Sequence, residues 1–124
     1  MERVEGFCTP ADWRRAYDEI NLYEEELAEA GVIIVKFWLA ITPDEQLRRF
    51  RDRENTPHKA YKITPDDWRN RDQWPQYEVA VEQMIDRTST RHAPWHVVAS
   101  DDKLWARTEV LQTVCERIEA ALEA

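Results

Sequence analysis

The chain has 124 residues, 43% hydrophobic and 34% charged, with a formal net charge of −8. That length holds one modest domain, and the hydrophobic share argues against disorder. The acidic balance excludes a general nucleic-acid or membrane binder, because it repels polyanions on average, and no apolar run approaches the roughly 20 residues of a bilayer span. Any anion site therefore has to be a local basic patch. Cys8 and Cys115 fit no metal spacing and read as reduced thiols. The start, MERVEGFCTP, lacks the apolar region of a secretion signal. Together these features give the expectation of a cytoplasmic protein.

Three tetrapeptides share one pattern: TPAD at 9, TPDE at 42 and TPDD at 64. Each places Thr at a helix N-cap, Pro at the first helical position and an acid at the third, where it can reach back to the free amides. The spacing is irregular and the intervening sequences differ, so these are helix starts and not repeats. The first opens a helix from about Pro10 to Ala30, with Trp13, Tyr17, Ile20, Tyr23 and Leu27 on one stripe. Gly31 ends it as a residue free to take positive φ.

Residues 32–41, VIIVKFWLAI, are β-branched, aromatic and nearly continuous in apolarity. A strand buried on both faces of a parallel sheet reads this way. Lys36 is its only charge. Thr42 starts a second helix whose apolar stripe, Leu47 and Phe50, is thin and predicts light packing. Trp74-Pro75 precedes a helix carrying Tyr77, Val81, Met84 and Ile85. APWHVVAS then gives a second short strand, and Ser100 with Asp101 is expected to cap a last helix carrying Leu104, Leu111, Val114, Ile118 and Leu122. The order argues for an α/β layer with parallel strands, although two strands make a poor sheet.

Generic catalytic patterns are few. With only Gly6 and Gly31, a glycine-rich phosphate loop is impossible here. No serine stands in a nucleophile elbow. His92 and His96 are separated by Pro94 and cannot share a helical face as zinc ligands, and His58 reads as a solvated loop residue. No metal ligand is assigned in the chain.

Arginine makes up thirteen of the 17 basic residues, and its planar fork of donors matches phosphate oxygens. Arg48, Arg49, Arg51 and Arg53 also read as a solvated helix face paired with Asp52 and Glu54. The more telling stretch is HKAYKITPDDWRNRDQW, residues 58–74, with Lys59, Lys62, Arg69 and Arg71 set among Tyr61, Trp68 and Trp74. It has too few aliphatic residues to pack permanently. A flap that closes over an anionic substrate has this composition, and so does a loop fixed by its aromatics with incidental charges.

The segments ERVEGF, INLYEEELAEAGVIIVKFWLAITPDEQLRRFRDR, KAYKITPDDWRNRDQW and RTSTRHAPWHVVASDDKLWAR together resemble the C-terminal part of the polyphosphate kinase 2 family. The resemblance runs over nearly the whole chain. It implies the C-terminal portion of a P-loop kinase fold, with two parallel strands, flanking helices and a helical lid at about 55–75, so that residues 1–124 form a single partial domain. It also implies phosphoryl transfer between inorganic polyphosphate and nucleotides, with Mg²⁺ in the site. By position, Lys59, Lys62, Arg69 and Arg71 match the family's basic lid pattern. Tyr61 stands where the family more often has Trp. Arg3 falls just after the acidic magnesium motif, and Arg49 and Arg53 precede the lid and could face phosphates. HAPW at 92–95 with Asp101, Asp102 and Lys103 resembles the late strand and the loop that follows it.

The family's Walker A loop and magnesium-binding acids lie upstream of the residues present. The expectation is therefore that this chain alone is not a working kinase, whether as an excised fragment or as the product of a truncated gene. Strand 32–39 would lack its neighbour on one side, and an unpaired apolar edge recruits other chains. A homo-oligomer is expected, and a non-catalytic oligomerising or polyphosphate-binding module is the alternative reading.

Overall fold

A computed structural model describes residues 2–123, leaving Met1 and Ala124 outside the described residues. A short helix α1 (Glu2–Glu5) leads into α2 (Pro10–Glu29). Then come β1 (Lys36–Ala40), α3 (Pro43–Glu54), a single 3₁₀ turn (Ala60–Lys62), α4 (Pro65–Asp72), α5 (Trp74–Thr88), β2 (Trp95–Ala99) and α6 (Lys103–Glu123). The two strands pair in parallel, with Lys36 opposite Trp95 and Ala40 opposite Ala99. The mixed α/β architecture expected from the sequence is what the chain adopts.

All three Thr-Pro starts open helices, each with its own capping chemistry. Thr9 and Asp12 form a reciprocal box: the Thr9 hydroxyl accepts from the Asp12 amide at 3.2 Å, and the Thr9 amide donates to Asp12 Oδ2 at 3.1 Å. Thr64 donates its amide to Asp67 at 2.9 Å. At Thr42 the helix amide of Glu45 is capped at 3.2 Å, but the Thr42 amide donates to Asp101 Oδ1 at 2.9 Å, across the sheet end. Glu45 is thereby left free to bind Arg48 and Arg49.

Two expectations at the strand ends are corrected. Residues 32–35 lie outside the strand ladder, because β2 offers only five partners to β1. The cap of α6 is Asp102, whose Oδ1 accepts from the Trp105 amide at 3.0 Å, while Asp101 is committed to Thr42 and Ser100 donates to the Ala40 carbonyl. α3 also docks more firmly than its thin stripe predicts. Phe50 is buried and meets the Trp68 ring edge-on at a centroid distance of 5.1 Å.

A polar node joins the sheet to its helices. Lys36 Nζ donates to Glu24 of α2 at 2.8 Å and to the Thr88 carbonyl at the end of α5 at 2.6 Å, and lies 4.9 Å from the centre of the Trp95 ring. Thr88 donates its hydroxyl to Met84 O and accepts from Trp95 Nε1 at 2.8 Å. Apolar burial is sparse by comparison: Phe50, Ala93, Val98 and Ala106 are the buried hydrophobic residues. The accessible surface is 8976 Å², against about 7,000 Å² for a compact monomer of this mass. Apolar side chains such as Leu39, Val97, Leu104, Leu111 and Leu122 are all more than half exposed. So the strand expected to be buried on both faces is half-covered in this chain. Trp38, Ala40 and Val97 floor an open groove of about 520 Å³ walled by Trp74, Tyr77 and Val81.

Candidate functional site

The segment from α3 to α5 carries the basic residues singled out in the sequence. Its first part turns on Ala60–Lys62, where the amides of Lys59 and Ala60 both bond back to the Thr56 carbonyl. Lys59 and Lys62 stand exposed on this turn. Neither side chain makes a hydrogen bond or ion pair among the described residues, and Lys62 Nζ lies only loosely, 6.0 Å, from the ring of the exposed Tyr61. Arg53, exposed in the last turn of α3, is likewise without a side-chain partner.

The arginines of α4 are engaged. Arg71 donates to the Pro43 carbonyl at 2.7 Å and to Gln46 at 3.3 Å, which fastens α4 to the start of α3. Arg69 lies between two carboxylates, with Nε 3.4 Å from Glu5 and one terminal nitrogen 3.3 Å from Asp66. It borders an open cleft of about 600 Å³ shared with Thr64, Trp68 and Asp72. Lys59 and Lys62 flank this cleft in sequence without lining it.

Arg49, on α3, and Arg3, on α1, are also engaged. Arg49 bonds Glu45 at 3.0 Å and the Ser100 carbonyl at 2.6 Å, so it ties α3 to the loop after β2. Arg3 donates to the Tyr17 hydroxyl at 2.9 Å and stacks 3.8 Å from the centre of the Trp13 ring. Both arginines therefore have structural partners in this chain. Beside Arg49, the hydrogen bond from Arg48 chiefly holds the Glu45 carboxyl down to about 2, from an ordinary 4.5.

One residue passed over in the sequence is Glu5. Nothing in ERVEGF marks it, because its partner Arg69 lies 64 positions away. Among the described residues no three His, Cys, Asp or Glu side chains come together as a metal site. The residues present do not fit a magnesium cradle. Among the described residues no helix is long and apolar enough to cross a membrane.

Comparison with known proteins gives the class. The chain matches the description "Polyphosphate kinase 2" along residues 1–124. It belongs to that family. It is 60% identical over 98% of its length to the polyphosphate:AMP phosphotransferase of Pseudomonas aeruginosa, and 38% identical over 96% to NDP-polyphosphate phosphotransferase 3 of Ruegeria pomeroyi. Those alignments span 24% and 40% of the two relatives, so the chain covers well under half of each. Among solved structures, a polyphosphate kinase 2 from Arthrobacter aurescens superposes with a TM-score of 0.92 at 37% identity, over 97% of this chain and 42% of that one. A Pseudomonas aeruginosa structure assigned to the same family gives 0.95 at 60% identity, over 98% of this chain and 26% of that one.

Proposed function

We propose that this chain is the lid and C-terminal portion of a polyphosphate:nucleotide phosphotransferase. The observation that carries the reading is the family match along the whole chain, joined to an exposed basic turn whose lysine side chains make no hydrogen bond or ion pair among the described residues. In the reaction, the terminal P–O–P linkage of polyphosphate breaks as a nucleotide phosphate oxygen bonds to the departing phosphorus. Phosphoryl transfer depends on placing the reactants in line and neutralising charge. Lys59, Lys62, Arg69 and Arg71 supply that charge from residues 55–75, which act as the lid. Lys59 and Lys62 are available at once, while Arg69 and Arg71 exchange an internal partner for phosphate.

Identity of 60% to a relative named for AMP, against 38% to one named for nucleoside diphosphates, favours a nucleoside monophosphate as the acceptor. The phosphate cradle and the magnesium of the complete site belong to polypeptide beyond the residues present, and the open groove over β1 is where that polypeptide packs. A cytoplasmic setting fits the two free cysteines.

The test is to replace Lys59, Lys62, Arg69 and Arg71 by Ala together in a protein that carries the whole family domain. Polyphosphate-dependent transfer should be lost while the circular dichroism stays native. Unchanged activity would defeat the lid assignment.

The roughly 2,000 Å² of excess surface supports a second reading, a homo-oligomer formed through the open sheet edge and the apolar side of α6. Light scattering on the chain alone separates the two. A stable dimer favours the oligomerising module, whereas a monomer that binds the missing portion of the domain favours the phosphotransferase.

A further inference from the structure

The Glu5–Arg69 ion pair joins α1 to α4, the last helix of the proposed lid. Glu5 stands on α1 with its side chain 8% exposed, yet its partner Arg69 is 47% exposed. Their separation, 3.4 Å from Oε2 to Nε, is long for a charge-assisted bond. The other oxygen, Oε1, is buried without a hydrogen-bond partner. A carboxylate in that position has one compensating charge, and removing it leaves an unpaired buried anion. Tyr77 lies beside it on α5: burial first, and the negative charge of Glu5 second, raise the phenol above its ordinary range.

The remaining ties of α4 run to its sequence neighbours. Trp68 packs on Phe50 and Arg71 bonds Pro43, both on α3, while the Tyr77 hydroxyl reaches Asn70 at 3.2 Å. The ion pair to Glu5 is a contact that fastens α4 to α1, 64 positions away in the chain. We propose that Glu5 is a positioning residue that restrains the lid, holding Arg69 against α1 until a polyanion takes the guanidinium from it. This rests on the lid reading of residues 55–75. A phosphate chain entering the adjacent cleft meets Arg69 already flanked by Glu5 and Asp66, so binding has to outcompete two carboxylates. Glu5 sets that threshold because, being buried, it cannot follow Arg69 outward into water.

Amide hydrogen exchange and polyphosphate binding on the full 124-residue chain test the restraint separately. In Glu5→Gln, amides of residues 65–72 should exchange about two- to fivefold faster, the range expected for a half-exposed ion pair, while α6 stays unchanged. The same variant should bind a medium-length inorganic polyphosphate about two- to fivefold more tightly, since one competing anion is gone. Glu5→Asp, which restores the charge, should return most of the slow exchange, a rescue that loss of packing alone would not show. Should Glu5→Gln fail to fold, Arg69→Gln on the exposed side must give the same rise in exchange.

Unchanged exchange in α4 overturns the proposal, and so does polyphosphate affinity that is unchanged or reduced. Failure of the lid reading looks different. In that case polyphosphate does not bind the wild-type chain, or binding survives Lys59→Ala with Lys62→Ala, while the exchange data still decide whether Glu5 holds α4.

Discussion

Lys36 and Lys62 are both lysines beside an aromatic ring, and they have opposite surroundings. Lys36 has a carboxylate at 2.8 Å, a carbonyl at 2.6 Å and a ring at 4.9 Å, and its side chain is 11% exposed. The exposed Lys62 side chain has a ring at 6.0 Å and no hydrogen bond or ion pair among the described residues. The first ammonium is used up in joining β1 to α2 and α5. The second has its full charge to offer. In an acidic chain, a basic residue that the fold has not already neutralised is the one available to phosphate at once. By that criterion the turn at 59–62 and Arg53 stand apart from Arg3 and Arg49, which the sequence alone places in the same group.

Breaking the contrast at its structural end should give the largest effect. Lys36→Ala leaves Glu24 half-buried without its cation and Thr88 O without its donor, and should cost about 3 kcal/mol in urea denaturation. A loss below about 1 kcal/mol would mean that the node is ornamental. The matching change at the other end, Lys62→Ala, should leave stability within about 0.5 kcal/mol of wild type, because an exposed side chain without partners has little to lose. A larger loss would place Lys62 in the packing and out of the lid.

A third, smaller effect concerns Glu45, which sorts the α3 arginines into bound and free. Its carboxyl is held at about 2 against an ordinary 4.5, chiefly by the Arg48 hydrogen bond. A depressed carboxylate contributes stability that is fully present above the unfolded value and is lost as pH falls through the folded one. The contribution from Glu45 should therefore hold down to about pH 4.5 and decline between there and about 2. NMR titration of the Glu45 carboxyl checks this, and Arg48→Ala should move its midpoint upward.

Local chemistry was legible in advance because it is written in neighbouring residues. The three Thr-Pro caps, the parallel strands and the helix order follow from spacing within a few positions. What was not legible depends on distant partners. Asp101 leaves α6 because Thr42 takes it, so Asp102 caps instead. The apolar run at 32–41 pairs along only five residues because β2 is that short. Arg49 looked available until Ser100 and Asp101 turned their carbonyls toward it. Glu5 carried no signal, since its meaning depends on Arg69. Membership of the polyphosphate kinase 2 family was recognisable because its motifs survive as contiguous strings.

The most direct test is a backbone NMR titration of the chain with inorganic polyphosphate. If the lid is the phosphate-binding element, amide shifts should gather at residues 53–72 and be greatest around Lys59 and Lys62, with Lys36, Arg3 and α6 silent. Shifts centred on Arg3 or α6, or no saturable change at all, would contradict it.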